Sequence, residues 1–124
     1  MTSLPPAPID EARHALDLSV LEKMVGNDPA KFKKFALLFI SSLEDVLQQI
    51  DDAIVRRDMA ALAAMGHRAK STALNIGAAG FSGQCLLLEQ TAGAGDAPAA
   101  LALAQSLRPL FQGVRTALEQ RLAS

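Results

Sequence analysis

Between positions 32 and 54 an apolar residue returns at nearly every third or fourth place: Phe32, Phe35, Phe39, Leu43, Val46, Leu47, Ile50 and Ile54. That spacing lines one side of a long α-helix and fits no strand, whose side chains alternate with a period of two. The beginning is marked too. Asp28 can cap, and Pro29 suits the first helical position, where a helix has no use for the missing N–H. The pattern predicts a helix reaching to about Arg57. A helix this long, apolar on one side only, must be covered by other helices.

The rest of the chain supplies the cover. Asp58 can cap a second helix whose buried stripe is Leu62, Met65, Ala69, Thr72, Ala73 and Ile76, with Gly77 to end it. A shorter third helix turns Phe81, Cys85, Leu88 and Ala92 inward. "AGAGDAP" breaks the chain and offers a fresh cap at Asp96. The last helix carries Leu101, Ala104, Leu107, Phe111, Val114, Leu118 and Leu122. Pro109 lies inside it and predicts a kink or a break, because proline removes a donor and crowds the preceding turn. Ahead of these, Leu18, Leu21, Met24 and Val25 predict one or two short helical pieces closed by Gly26. No segment alternates like a strand, and nothing repeats.

These elements predict an all-α fold, an antiparallel up-down four-helix bundle with short N-terminal helical segments covering one end. Residues 1–9, which include "SLPPAP", read as a flexible Pro-rich tail, and residues 10–124 as the bundle domain. One domain suits 124 residues, half of them apolar. The initiating Met and the tail favour a complete short protein.

Composition removes several function classes. The net charge is −1 and the basic residues are scattered, so no electrostatic footprint for nucleic acid exists. A single cysteine rules out a disulfide framework. The start has no basic segment followed by an apolar one, and no apolar run is long enough to span a membrane. The expectation is a cytoplasmic monomer without membrane attachment. "GAAG" and "GAG" follow no strand and make no nucleotide loop, so no cofactor of its own is expected.

One stretch stands apart: "HRAKSTALNIGA", residues 67–78. At about 100° per residue, the apolar stripe of this helix falls opposite His67. Lys70 and Ser71 are the histidine's neighbours at i+3 and i+4. Ala60, Ala63, Ala64, Leu74, Asn75 and Ala78 share the outward half. A solvated helix face normally carries Glu, Lys or Gln. This one is small and apolar, which suits a docking surface. Small neighbours let a partner approach the imidazole closely, and a neutral ring nitrogen is a competent nucleophile near pH 7. Lys70 brings a positive charge within reach of whatever the histidine takes up, and that combination suits a phosphoryl group.

The same stretch resembles the signature of histidine-containing phosphotransfer (HPt) domains, roughly H-x-[LA]-K-G-[SA]-[SA]-x-x-[LI]-G-A. His67 stands at the phospho-accepting histidine, Lys70 at the lysine, and "IGA" ends the motif in register. "RRDMAALAAMGHRAK" is similar to the family's D-x-x-x-L-x-x-x-A-H approach. "CLLLEQTAGAGD" is similar to its C-x-x-L-E-x-x-x-x-G-D return. The resemblance runs from about Asp17 to Ala123. It implies a four-helix bundle that relays phosphoryl groups between receiver domains. A hybrid sensor kinase would be among its partners, and Mg²⁺ would sit on the receiver. It also implies a carrier without an ATP site rather than an enzyme. Glu89 would stand near the histidine, where relatives often have Gln, at most supporting it from behind. The sequence departs from the family at Ser71, where Gly is usual, and at Leu74, often Gly or Ala. The Ser71 hydroxyl could hydrogen-bond the ring or the phosphoryl group, or crowd them.

Two other readings compete. The bundle could dock a receiver or a kinase without carrying phosphate, and Ser71 is the reason to keep that open. It could also be an enzyme subunit with His67 as general base, but the helix motif holds no pairing carboxylate. His14 has no companions. Cys85 reads as a buried structural thiol. The Phe series reads as core, and Glu44, Asp45, Asp51 and Asp52 as a solvated face.

Overall fold

The computed structural model describes residues 16–123. The predicted tail, the first residues of the predicted bundle domain and His14 lie outside them. Within the described residues five helices follow in order: α1 (Ser19–Met24), α2 (Pro29–Arg56), α3 (Met59–Asn75), α4 (Ala79–Gly93) and α5 (Ala97–Ala123). The last four form the bundle, and α1 packs against α2 at one end. Among the described residues the sole extended pairing is an isolated antiparallel bridge between Leu16 and Ala78.

The helix boundaries fall where the capping residues put them. Asp28 accepts from the backbone N–H of Ala30 and Lys31 at 2.9 and 3.3 Å, with Pro29 opening α2. Arg57 takes a left-handed φ of 54°, which ends α2. Asp58 starts α3 at once by accepting from Ala61 N–H at 3.0 Å. Asp96 does the same for α5 through Ala99 N–H at 3.3 Å. Caps of this type contribute about 1 kcal/mol each.

Pro109 neither ends nor interrupts α5, so of the expected kink or break the break does not occur. The proline is exposed, while Leu107 and Phe111 on either side of it are fully buried. Each large buried side chain contributes roughly 1.5–3 kcal/mol. The stripe as a whole therefore outweighs the ~3 kcal/mol cost of an interior proline.

The core follows the predicted stripes with informative exceptions. Phe32, Leu43, Val46, Leu47 and Ile50 are buried, but Phe35 is 36% exposed. The helix lengths explain it. α2 and α5 have 28 and 27 residues, α3 and α4 only 17 and 15. At about 1.5 Å per residue the first turns of α2 run past the two short helices and have fewer sides to bury. In α3 the buried line is Leu62, Gly66, Ala69 and Ala73, with Met65 and Thr72 only half-buried. Past Leu62 that line is made of small residues, and at Gly66 it lies against α4. Ala100 is buried in α5 where Leu101 was expected, and Met24 of α1 is exposed.

The acidic face of α2 is not simply solvated. Glu44 pairs with Arg115, and Asp51 accepts from Arg108 Nη2 at 2.6 Å. The acids lie about two turns apart on α2, and their partners lie two turns apart on α5 in the opposite order. The pairs thus mark an antiparallel register. Asp45 and Asp52 remain exposed as predicted.

Candidate functional site

The site lies where α3 and α4 approach closely. Gly66 is buried in the seam, and His67 follows it, pointing out. One turn of α4, from Cys85 to Glu89, passes behind the glycine. A Cβ built on Gly66 would lie 2.8 Å from the carbonyl oxygen of Cys85 and 3.1 Å from the backbone nitrogen of Glu89. Further along, the buried Ser82 hydroxyl donates to the carbonyl of Lys70 at 3.0 Å, using that oxygen's second lone pair. The backbones of the two helices are thus locked together on both sides of the histidine.

Across this seam one carboxylate serves two partners. Oε2 of Glu89 is 2.9 Å from Nδ1 of His67, and Oε1 accepts from Lys70 Nζ, also at 2.9 Å. The hydrogen bond from Lys70, with a smaller one from His67, holds the Glu89 carboxyl below its ordinary value of 4.5, against the opposite push of partial burial. The group is therefore ionised at neutral pH and can only accept. The contact with His67 then requires a proton on Nδ1. In the neutral ring this leaves the lone pair on Nε2. The His67 side chain is 65% exposed, against 30% for Glu89 and 26% for Lys70. Among the described residues Nε2 has no hydrogen-bond partner.

The structure brings His67, Lys70 and Glu89 together, and it gives Glu89 a larger place than the sequence suggested. The carboxylate touches both the histidine and the lysine directly. It is also the pairing carboxylate that the α3 motif alone lacks. Ser71 is exposed and makes no hydrogen bond to the ring among the described residues.

Of the expected docking residues, Ala60, Ala64, Leu74 and Asn75 are exposed and Ala63 is half-buried. Ala78 does not belong to the face, because it is fully buried. The helix ends at Asn75, and Gly77, at φ 78°, turns the chain so that Ala78 precedes α4 and pairs with Leu16. Helical phase cannot be carried across such a turn. On α4, exposed Leu86 lies one turn before Glu89, an apolar neighbour that the sequence reading did not include.

Gly66 and Ser82 were likewise not singled out. For Gly66 a signal exists in the sequence. Glycine in a helix interior costs about 1 kcal/mol relative to alanine and points to a packing reason. Cys85 is buried as expected, and burial pushes its thiol up to about 12, so it stays protonated. Among the described residues no group of three or more His, Cys, Asp or Glu could hold a metal ion. None of their helices is long and apolar enough to cross a membrane.

The sequence model of the Hpt domain matches residues 34–123. No curated protein matches the chain. Among solved structures, the crystal structure of histidine-containing phosphotransfer protein B from Pseudomonas aeruginosa PAO1 is similar, with a TM-score of 0.81 and 26% identity, covering 95% of this chain and 97% of that one.

Proposed function

The chain belongs to the Hpt domain family, and we propose that it carries a phosphoryl group on Nε2 of His67 between the aspartyl phosphates of receiver domains, one of them in a hybrid sensor kinase. The observation that supports this most is the Glu89 contact to Nδ1 on a ring that is otherwise 65% exposed. It leaves the nucleophilic nitrogen on the open side of the ring.

The transfer balances without moving a proton. The Nε2 lone pair attacks phosphorus in line, and the bond from phosphorus to the aspartate oxygen breaks, its electrons returning to the carboxylate. Nδ1 keeps its proton throughout. Positive charge that develops on the ring faces the Glu89 carboxylate. Lys70 commits one N–H to Glu89 and has others to offer a phosphoryl oxygen. On the partner's side, Mg²⁺ held by the receiver would meet the negative charge of the phosphoryl oxygens. The return step runs in reverse. The chain is a carrier between two proteins, not a self-contained enzyme, and works as a cytoplasmic monomer.

Docking uses the outer face of α3. Ala60 and Ala64 keep it low, so that a receiver's aspartate can reach the ring, and Leu74 offers the one large apolar contact on it, 53% exposed.

Phosphoryl transfer from a panel of phosphorylated receivers to the wild type and to His67→Gln tests the reading. Acid-labile, base-stable label on the wild type alone is the expected result. A folded wild type that takes label from no receiver yet binds one would make the protein a docking module instead. Ser71→Gly would then be the next variant.

A further inference from the structure

We propose that Gly66 is a positioning residue for His67: its missing side chain lets the backbone of α4 close on α3, and this closeness holds the Glu89 carboxylate against the imidazole. The inference deepens the carrier reading above and rests on it for the function of the ring.

The atoms that a Cβ on Gly66 would meet are all backbone. They are the Cys85 oxygen at 2.8 Å, the Glu89 nitrogen at 3.1 Å and the Glu89 Cα at 3.5 Å. No side-chain rotation can clear them. Two of the three belong to Glu89 itself, so its main chain is seated on the residue that immediately precedes His67. Gly83 and Gly93, at other places on α4, have nothing within 4 Å of a built Cβ. Close approach of the two helices is therefore a feature of position 66 that those two glycines do not share, and this chain has Gly66 where the family's A-H pattern has Ala. The backbone there is ordinary helix, so a special φ is not what calls for glycine. Clearance is.

The distances leave little slack. Carbon–oxygen contacts settle at about 3.3–3.6 Å. An alanine Cβ at 2.8 Å from the Cys85 oxygen would part the helices locally by roughly half an ångström or more. Added to the 2.9 Å between Nδ1 and Oε2, that approaches the separation beyond which no hydrogen bond remains. Both oxygens of Glu89 are committed, one to His67 and one to Lys70. A rotation that follows one partner abandons the other. The charged groups that act on the carboxylate are Lys70 and His67. On α4 the other titratable group behind the ring is the buried thiol of Cys85. Among the described residues, α2 and α5, which also pack on α3, add no charge to this contact.

The test reads the nitrogen shifts of the His67 ring by NMR on the full chain, together with the rate of phosphoryl uptake from a phosphorylated receiver. In Gly66→Ala the ring shifts move toward the mixed tautomers of free imidazole. Uptake slows roughly tenfold, the scale of a hydrogen bond to a charged group. Leu107→Ala, a core truncation in α5, lowers the melting temperature and leaves the ring shifts unchanged. Wild-type ring shifts in a folded Gly66→Ala would overturn the proposal, and so would an equal change in Leu107→Ala. If Gly66→Ala does not fold, Glu89→Asp keeps the seam and draws the carboxylate back by one carbon. It must show the same shift change, and wild-type shifts there would also overturn the proposal. The ring signature is read without phosphate. If it behaves as expected while no receiver labels His67, the carrier reading fails and the positioning stands.

Discussion

Oε2 of Glu89 lies 2.9 Å from Nδ1 of His67. Lys70 and His67 hold the carboxyl below its ordinary value of 4.5. A carboxyl whose folded value is depressed stabilises the fold above its unfolded value, and that stabilisation is lost as the pH falls through the folded value. The difference in melting temperature between wild type and Glu89→Gln is expected to be steady above pH 4.5 and to shrink as acid is added below it. The effect is small, because solvent screens a site this open. A pH series of thermal melts checks it. A difference that does not change through the acid range would mean that the carboxylate is not held by its neighbours.

Leu74 is 53% exposed on the outer face of α3. Leu74→Glu is expected to change stability by no more than ~0.5 kcal/mol. It should weaken receiver binding roughly tenfold, or ~1.4 kcal/mol, by placing an unpaired charge in an apolar contact. Titration of a receiver against both proteins, with melting curves alongside, measures the two effects separately. Unchanged affinity would place the docking surface elsewhere.

Gly77 and Gly95 separate two costs that usually travel together. Both have a positive φ, 78° and 77°, but a Cβ on Gly77 would lie 1.8 Å from the Asp17 oxygen, while one on Gly95 meets nothing within 4 Å. Gly95→Ala is expected to cost about 1–2 kcal/mol, the strain of the left-handed conformation alone. Gly77→Ala is expected to cost about 3 kcal/mol or more, because the chain from Leu16 must also leave the α3–α4 turn. Urea denaturation of the two variants provides the comparison, and equal losses would show that the Asp17 contact yields freely.

The helical frame is legible in the sequence because three of the five described helices carry a capping residue and the long ones keep their apolar spacing. Asp28, Asp58 and Asp96 stand where the chain enters a helix, and the apolar spacing continues until a glycine or a left-handed residue stops it. His67 and Lys70 are legible because they are neighbours on one helix. Glu89 is harder to place. It meets them only across two helices, and that meeting depends on a separation that no periodicity encodes. The pairing of Glu44 with Arg115 was missed for the same reason. Phase arguments failed at Ala78, where the turn at Gly77 resets direction, and at Phe35, where α2 outruns its neighbours. Burial depends there on the lengths of other helices.

The closeness of α3 and α4 at Gly66 bears on whether this site could be transplanted. Helices usually pack with their axes 8–10 Å apart, at a spacing set by the side chains between them. A histidine, a lysine and a glutamate copied onto two helices spaced by ordinary aliphatic residues would keep their identities and lose their contacts. The portable unit is therefore larger than the three polar groups. It includes an empty position, and whoever grafts the site must carry over that emptiness first.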